Sequence, residues 1–324
     1  MKPSRRQFLY LAAAGTVALP SHARAQTYPT QPVRMIVPLT AGSAADILAR
    51  QLATKMSENW GQPVVVENRP GAGTTIGANA VAKAAPDGHT LLVNSAAFAA
   101  SAAIYQKLPY DPIRDLAPIS QVAIAPIVVT VAPSLGAKSI RELVELSKNQ
   151  GGRMSFGSAG VGSSTHFAGE QFKLAAGLNA VHVPYKGPPE ALLDTMTGRI
   201  QYCLSPLLPA VPFITDKKLL PLAVTTAERS SMLRDVPTIA EAGVPDYEYQ
   251  DWWGAFGPAT TPPAVIDKVS KEIARVLELP DVRKQLLSQG AEARSSTPQE
   301  FAAFVRAKIE AARKVATAAG IRSD

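Results

Sequence analysis

Residues 33–59 read VRMIVPLTAGSAADILARQLATKMSEN, and this stretch contains the unit from which the fold is built. A β-branched run, Val33–Pro38, is followed by a loop with glycine and hydroxyl side chains and then by a helical pattern over Asp46–Asn59. Strand patterns and helical patterns alternate in the same way through most of the chain. This alternation is typical of an α/β fold whose parallel sheets consist of strand–helix–strand units.

The other elements follow from the same two periodicities. Further predicted strands are Val64–Glu67, Leu91–Asn94, Ile127–Ala132, Met154–Gly157, Ala180–Pro184 and Ile200–Leu204. Further predicted helices are Ile76–Ala84, Ile140–Asn149, Ser164–Ala176, Pro189–Thr197 and Ala264–Leu279. Capping-box patterns begin at Ser139 and Thr297, and Gly198, Gly290 and Gly320 stand where helices should end. The C-terminal part of the chain lacks strand patterns and is predicted to be mostly helical.

The N-terminus has the three parts of an export signal. Basic residues precede an apolar stretch that ends before Pro20, and Ala23-Arg24-Ala25 forms an A-x-A cleavage site. The apolar stretch is too short to span a bilayer, because a spanning helix needs about 20 apolar residues. The segment Arg5-Arg6-Gln7-Phe8-Leu9 resembles the twin-arginine signature, which a receptor reads as an address. We therefore expect cleavage after Ala25, export to the periplasm and no membrane insertion.

Charge and cysteine content exclude several classes of protein. The formal net charge is +7, but Lys2, Arg5, Arg6 and Arg24 leave with the signal, so that 29 basic and 26 acidic residues remain in a mature chain of net charge +3. This excess is too small to indicate a nucleic-acid partner. Cys203 is the only cysteine, which excludes an internal disulfide and a cysteine-based metal site. We expect it to be a small buried hydrophobic residue.

Three glycine-rich loops lie where strands lead into helices. They are Pro38–Asp46, Gly71–Gly77 and Ser158–His166. A tight turn before a capped helix would explain any one of them, but three loops, two of them rich in hydroxyls, favour a ligand site. Because they contain no Lys or Arg apart from Arg69 on one approach, recognition would use N–H groups, hydroxyls and helix dipoles. That chemistry suits a modest carboxylate better than a polyphosphate.

Nucleotide binding and metal binding are disfavoured by spacing. Gly71-x-Gly73-x-x-x-Gly77 differs from the dinucleotide-binding pattern, and the chain has no G-x-x-x-x-G-K-[ST] motif. The predicted strand Leu91–Asn94 does not end in the acid that would hold a ribose. The histidines of the mature chain, His89, His166 and His182, show no H-x-x-x-H pair. We therefore expect neither a cofactor nor a metal ion.

A serine-type hydrolase is the main alternative from an enzyme class. Phe156-Gly-Ser158-Ala-Gly160 lacks the first glycine of a nucleophile elbow. Ser163 or Ser164 with His166 remains as a possible nucleophile and base, and the other interpretation is that His166 caps or lines the start of its helix. No catalytic residue is predicted on the favoured interpretation.

Many short segments, taken in their order and spacing, form a pattern that extends over nearly the whole mature sequence. These segments are Pro38–Asp46, Asn68–Gly73, Val81–Leu92, Tyr110–Pro112, Ser163–Glu170, Val183–Gly187, Val236–Gly243, Trp253-Gly254 and Thr261-Pro262. In this pattern the chain resembles the Bug-type extracytoplasmic receptors of tripartite tricarboxylate transporters. The chain departs from the family pattern at Ala41-Gly42-Ser43, where two glycines are usual, and Ser43 adds a side chain there.

The resemblance implies a two-domain Venus-flytrap fold of the type II periplasmic binding class, with mixed, mostly parallel sheets flanked by helices. The first domain would comprise residues 27–126 and 227–324, and the second 127–226, with the ligand cleft between them. It also implies that the loop Thr40–Ser43 holds the ligand carboxylate, while Ser163–His166 and Tyr185–Gly187 close from the other domain. The expected ligand-binding residues are Thr40, Ala41, Gly42, Ser43, Asp46, Ser95, Ala96, Ser158, Ser163, Ser164, Thr165, His166, Tyr185, Gly187 and Ser205.

The expected function is capture of a small carboxylate, an organic acid or an amino acid, by domain closure without chemistry. The resemblance implies that a monomeric receptor delivers this ligand to the membrane permease subunits of a tripartite transporter. A periplasmic sensor of a signalling system, which would share the fold and the site, remains a second alternative. Asp46 either receives a ligand ammonium or ordered waters, or it favours the start of its helix. The identity of the ligand stays open.

Overall fold

The structure, a computed structural model, describes residues 28–149 and 154–322. The predicted export signal and its cleavage site after Ala25 lie outside the described residues. Within these two ranges, no helix combines the length and the apolar character that a membrane span requires.

The first part of the sheet consists of parallel strand–helix–strand units. Strand β1 (Val33–Val37) lies between β2 (Val64–Asn68) and β3 (Thr90–Ser95) and is parallel to both. Helices α1 (Ala44–Trp60) and α2 (Thr75–Ala82) make the connections. Since successive residues of a strand point to opposite faces, β1 contributes to a core on each side of the sheet. Its carboxyl end is thereby held next to that of its neighbours.

The second part repeats this construction. Strand β5 (Met154–Ser158) is parallel to β6 (Ala180–Pro184) and to β7 (Tyr202–Pro206). Helices α5 (Ser164–Ala176) and α6 (Pro188–Met196) make the connections. The remaining helices are α3 (Ala97–Ile104), α4 (Ile140–Asn149), α7 (Leu207–Thr215), α8 (Pro263–Glu278), α9 (Pro280–Ser288) and α10 (Pro298–Ala319).

One long strand joins the two parts. Strand β4 (Leu116–Val131) pairs with β9 (Gln250–Pro258) as far as Pro126, and from Ile127 it pairs with β7 and with β8 (Leu220–Val224). All of these pairings are antiparallel. The resulting order is β2-β1-β3-β9-β4-β7-β5-β6, with β8 and the short β10 (Glu292–Ala293) also paired to β4. Parallel pairing thus joins the strand–helix–strand units of each part, whereas β4 and β9 pair antiparallel with all their neighbours, including β9 with β3.

The structure confirms the mixed α/β architecture with flanking helices, and most predicted elements lie within two residues of their observed bounds. The largest difference is at β4, because the predicted strand Ile127–Ala132 is only its end and the observed strand begins at Leu116. The elements that the sequence did not predict are α3, α7, β8, β9 and the two-residue β10, which lies in the part of the chain expected to lack strands.

Three of these omissions have a physical reason. Helix α3 has no polar face, because its sequence AFAASAAI is buried or half-buried throughout, and so it lacks the helical pattern. Helix α7 contains Pro212, a residue that normally marks the end of a helix. Strand β9 is buried on both faces: Trp252 packs in one core and Trp253 in the other, so apolar and polar residues do not alternate.

Several predicted local features are confirmed. Thr297 and Glu300 form a complete capping box at the start of α10. At Ser139 only half of the box forms, because the Glu142 carboxylate accepts from the Lys138 N–H instead of from that of Ser139. Cys203 is fully buried, as expected for a small hydrophobic residue.

Strand β9 and helix α10 are in close contact at Gly254. A Cβ atom at this position would lie 2.0 Å from Cζ of Phe301, whose ring is completely buried and cannot move aside. We expect Gly254→Ala to lower the free energy of unfolding by about 1–3 kcal/mol, the usual cost of overpacking a core. Gly257→Ala on the same strand is the matched control, since its nearest neighbours lie at 3.6 Å or more. Urea titration of both variants measures the difference, and equal stabilities would contradict the packing argument.

Candidate functional site

The carboxyl ends of β1, β2 and β5 face a common cavity of about 470 Å³. All three glycine-rich loops contribute to its wall. The lining residues are Pro38, Leu39, Thr40, Pro70, Gly71, Ala72, Gly73, Thr74, Ala97, Tyr105, Ala159, Gly160, Val161, Ser163, Tyr185 and Lys186. A wider and shallower depression, of about 940 Å³, lies around Trp60 and Lys268, but none of these loops lines it. The chemistry predicted from the loops therefore points to the first cavity.

The loop before α1 is held in place by hydrogen bonds to the first turn of that helix. Gly42 has a positive φ of 78°, and its N–H donates to Oδ2 of Asp46 at 3.0 Å. The hydroxyl of Ser43 caps the helix by accepting from the N–H of Asp46 at 3.4 Å. Glycine at position 42 is required because a side chain there would be strained at this φ.

The loop before α5 is built in the same way with a different acceptor. Gly162 has a φ of 80°, and its N–H donates to Nδ1 of His166 at 3.3 Å. The hydroxyl of Ser163 caps the helix by accepting from the N–H of His166 at 3.1 Å. The two loops on opposite sides of the cavity thus share a Gly-Ser-x-x-acceptor arrangement, in which the acceptor is a carboxylate in one and an imidazole in the other.

Asp46 is fully engaged by the protein. Each of its oxygens accepts two hydrogen bonds, Oδ1 from Arg50 and Asn68 and Oδ2 from Gly42 and Arg50, at 2.9–3.0 Å. Burial alone would raise the pKa of this carboxyl, but the hydrogen bonds from Arg50, Gly42 and Asn68 hold it below its ordinary value. Of the two interpretations left open by the sequence, the geometry supports the one in which Asp46 braces the start of its helix.

His166 belongs to a buried imidazole pair. Its ring stacks on that of His182 with centroids 3.9 Å apart. Burial, together with the nearby charge of Lys173, lowers the pKa of His166 to about 4, and burial, together with the adjacent imidazole of His166 and the charge of Lys173, lowers that of His182 to about 3. Both rings are therefore neutral near pH 7, which leaves Nδ1 of His166 free to accept from Gly162. Nε2 of His182 lies 2.6 Å from Oγ of Ser158, so this pair also braces the loop.

The other hydroxyls of this loop face inward. Oγ1 of Thr165 accepts from the N–H of Ala159 at 2.8 Å and lies 3.0 Å from Oγ of Ser163. Oγ of Ser158 accepts from the N–H of Gly160 at 3.1 Å. Ser158 and Thr165 therefore shape the loop, while Ser163 and Gly160 reach the cavity wall.

The geometry does not assemble a serine nucleophile with His166. Among the described residues, the imidazole Nδ1 is bonded to the N–H of Gly162, and the hydroxyl of Ser164 donates to Asp251 at 3.1 Å. The hydroxyl of Ser163 interacts with a backbone N–H and with Thr165. Nucleophilic catalysis needs a hydroxyl within hydrogen-bond reach of the base, and neither serine has that contact here.

Asp251 is a buried carboxylate that the sequence analysis did not identify. It lies on β9 with 1% of its surface exposed, and it accepts from the hydroxyl of Ser164 and from the N–H groups of Trp252 and Ala96. Burial raises its pKa to about 7, although these hydrogen bonds oppose the shift. A single acid in the otherwise uncharged run Gln250–Pro258 is the signal that would have identified it.

The remaining predicted residues divide into wall and support. Thr40 lines the cavity, and the segment containing Gly187 approaches it closely, since a Cβ at Gly187 would lie 3.2 Å from Oγ1 of Thr40. The ring of Tyr185 lines the cavity, while its hydroxyl donates to Asp194 at 2.8 Å.

Three further predicted residues lie outside the lining. The hydroxyl of Ser95 accepts from the N–H of Ala97, and that of Ser205 donates to the carbonyl of Pro206. Ala41 is exposed on its loop.

Three lining elements were missing from the predicted ligand set. Lys186 is the one charged side chain that the described residues bring to the wall, and Tyr105 reaches it from the end of α3. The third is the loop Gly71–Thr74, in which all four residues have positive φ, including Ala72 at 45° and Thr74 at 81°. Such backbone strain in non-glycine residues is concentrated at functional sites. No group of acidic, cysteine and histidine side chains in the described ranges forms a metal cluster.

The chain is similar to known proteins in family pattern, in sequence and in structure. Residues 48–321 match the model of the tripartite tricarboxylate transporter family receptor. The chain is 34% identical to protein BugT of Bordetella pertussis, over 93% of this chain and 92% of that protein. Among solved structures it is similar to R. palustris Rpa4515 with adipate (TM-score 0.88, 34% identity, covering 91% of this chain and 99% of that one). It is also similar to MatC from Rhodopseudomonas palustris with bound malate (TM-score 0.83, 30% identity, 89% and 99% coverage).

The neutral state of His166 predicts a pH dependence of stability. Between its ordinary pKa of 6.5 and its folded pKa of about 4, the unfolded chain binds a proton that the folded protein excludes, so stability falls as the pH is lowered through this window. We expect His166→Asn, which keeps an acceptor but does not titrate, to lose less stability over the window than the unchanged protein. Denaturant titrations across the window measure this. The matched control is His89→Asn, outside the cavity wall, and an unchanged slope in His166→Asn would contradict the assignment.

Proposed function

The chain belongs to the family of tripartite tricarboxylate transporter receptors, and from this premise we propose that it captures a small carboxylate in the periplasm and delivers it to a membrane permease. The observation that carries the proposal is that two capped helix starts, at Ser43 and Ser163, flank a single cavity. Helix starts present N–H groups and a positive dipole end, which together bind anions.

The charges of the wall suit a carboxylate. Among the described lining residues there is no acid, and Lys186 is the one base. Asp46 is the nearest acid on the loop before α1, and Arg50 pairs with it at 2.9 Å. A ligand anion would therefore meet hydroxyls, N–H groups and one ammonium without an opposing free carboxylate.

The body of the ligand would lie against apolar surface. The wall includes the side chains of Pro38, Leu39, Pro70, Ala97 and Val161. Adipate and malate are bound by two structurally similar proteins, and adipate combines two carboxylates with an apolar chain. We therefore place organic acids with an apolar segment first among the candidates, with the second polar end near Lys186 or Tyr105.

Capture by closure requires two bodies, and the course of the chain supports such a division. β4 changes partners between Pro126 and Ile127, which coincides with the proposed boundary after residue 126. Ile239, Val244 and Tyr247 pack in the core of the second part. We therefore propose that the second body extends to about Tyr249 instead of ending at residue 226, with β9 leading back into the first. Ligand contacts from both bodies would favour the closed state.

Isothermal titration with adipate, malate, hexanoate, benzoate and glutamate tests the proposal directly. We expect at least one of them to bind with a Kd below about 1 mM, because donors from both sides of the cavity are already in place. Native mass spectrometry of protein purified without denaturation checks for a retained acid. If none of the five binds and no acid is retained, carboxylate capture is wrong.

Lys186 provides a test of where the ligand charge lies. Lys186→Gln should weaken binding of a carboxylate ligand about two- to fivefold, since an exposed ion pair contributes only about 0.5–1 kcal/mol. A dicarboxylate should lose more than a monocarboxylate of similar length if its second end lies at this residue. Lys314→Gln, an exposed lysine of α10 outside the wall, is the matched control. Equal affinities of the Lys186 variant and the control would exclude Lys186 from the site.

A further inference from the structure

Asp251 lies directly behind the wall of the cavity. It accepts from the hydroxyl of Ser164 and from the N–H of Ala96. Ser164 directly follows Ser163 of the wall, and Ala96 directly precedes Ala97 of the wall. Ser164 is the first residue of α5 in the second part, and Ala96 is the N-cap residue of α3 in the first. The Asp251 carboxylate thus takes donors from helix starts on both sides of the cleft.

A ligand carboxylate would need the same kind of donors at the same helix starts. The two anions would then share one small region from which water is excluded, since Asp251, Ser164 and Ala96 are each at most 6% exposed. Like charges at short range in such surroundings disfavour the ionised state of one partner. A proton is the group that resolves this conflict.

We propose that capture of the ligand carboxylate is coupled to the uptake of one proton by Asp251. On protonation of Asp251, the hydroxyl of Ser164 stops donating to Asp251 and donates to the ligand instead. With Asp251 ionised, the Ser164 O–H donates to Oδ2. With Asp251 protonated, its own O–H donates to Oγ of Ser164, and the serine hydrogen becomes available to the ligand. One proton enters from solvent with each ligand, and no covalent bond other than that O–H is formed. This inference rests on the proposed carboxylate function.

The surroundings of Asp251 make it the group that titrates. Its pKa is about 7, so a modest further rise on anion binding gives uptake near neutral pH. On α5 the ionisable side chain nearest in sequence to Ser164 is His166, which has a pKa of about 4 and stays neutral. Tyr249 lies two residues before Asp251, and burial, together with the charge of Asp251, raises the pKa of this tyrosine far above the neutral range.

Helix α3 contains no ionisable side chain, and the residue opposite Asp251 on β4 is Ala125. Lys308 of α10 and Glu248 line a neighbouring cavity of about 300 Å³ and carry opposite charges.

The experiment is titration calorimetry with the tightest binder of the five acids, at several pH values between about 6.5 and 8.5 and in phosphate and Tris buffers. Since the site favours protonated Asp251, affinity should fall roughly tenfold or more across this range, with at most a tenfold change per pH unit for one proton. The difference in heat between the buffers should correspond to uptake of up to one proton per ligand at the upper end.

Variants identify the group. Asp251→Asn resembles the protonated form, because its amide can donate to Ser164. This variant should therefore bind the ligand at the high pH about as tightly as the unchanged protein does at the low pH, and it should take up no proton. Ser164→Ala should bind at the low pH about as weakly as the unchanged protein at the high pH, which keeps the test decisive if the Asp251 variant does not fold. Asp216→Asn, an exposed acid beyond α7, should behave as the unchanged protein.

The outcomes separate the two proposals. Carboxylate binding without proton uptake, or uptake that persists in Asp251→Asn, overturns the coupling and leaves carboxylate capture standing. If none of the five acids binds at any pH and the purified protein retains no acid, both proposals are overturned.

Discussion

The site depends on the N–H groups that the start of every helix leaves without a partner inside the helix. The loops before α1 and α5 use the same solution: a serine caps the helix, and a side chain of the first turn accepts from the glycine before the cap. This arrangement fixes the loop and still leaves N–H groups of the first turn, at Ala44 and Ala45 or at Ser164 and Thr165, without an intrahelical partner. Such groups require an acceptor from elsewhere, and the carboxylate of the proposed ligand would provide one.

The difference between the two acceptors sets the electrostatics of the cleft. Asp46 brings a negative charge to one helix start, and Arg50 neutralises much of it through hydrogen bonds to both carboxylate oxygens. His166 likewise accepts from the glycine of its loop, but it carries no charge, because burial keeps its ring neutral. The start of α5 therefore attracts an anion more strongly than the start of α1 does. Ligand charge should consequently lie closer to Ser163 and Val161 than to Gly42.

The sequence predicts the loops well and the partners of their side chains poorly. Local periodicity indicates where a strand leads into a helix, and for this reason the sequence predicts the three glycine-rich loops and the helix caps. The groups that brace the loops come from distant segments: Asn68 reaches Asp46, His182 reaches Ser158 and Asp251 reaches Ser164. No local pattern shows whether a hydroxyl faces the ligand or supports the loop. Lys186 shows the same limit: the resemblance placed its segment, Tyr185–Gly187, at the ligand, but no local pattern indicated that its side chain would reach the cavity wall.

Burial of Asp251 links its charge to the arrangement of the two parts. A buried carboxylate is costly unless donors surround it, and Asp251 receives them from Ala96 in the first part and Ser164 in the second. Close to these helix starts, Phe167 of α5 packs with Ala100 of α3 and Ala316 of α10 in one apolar cluster. If the two parts moved apart, the carboxylate would lose the hydroxyl of Ser164 and gain water in its place. If the cleft closes as proposed, the protonation state of Asp251 and the closure would depend on each other, because both would be decided by whether the same two helix starts remain together.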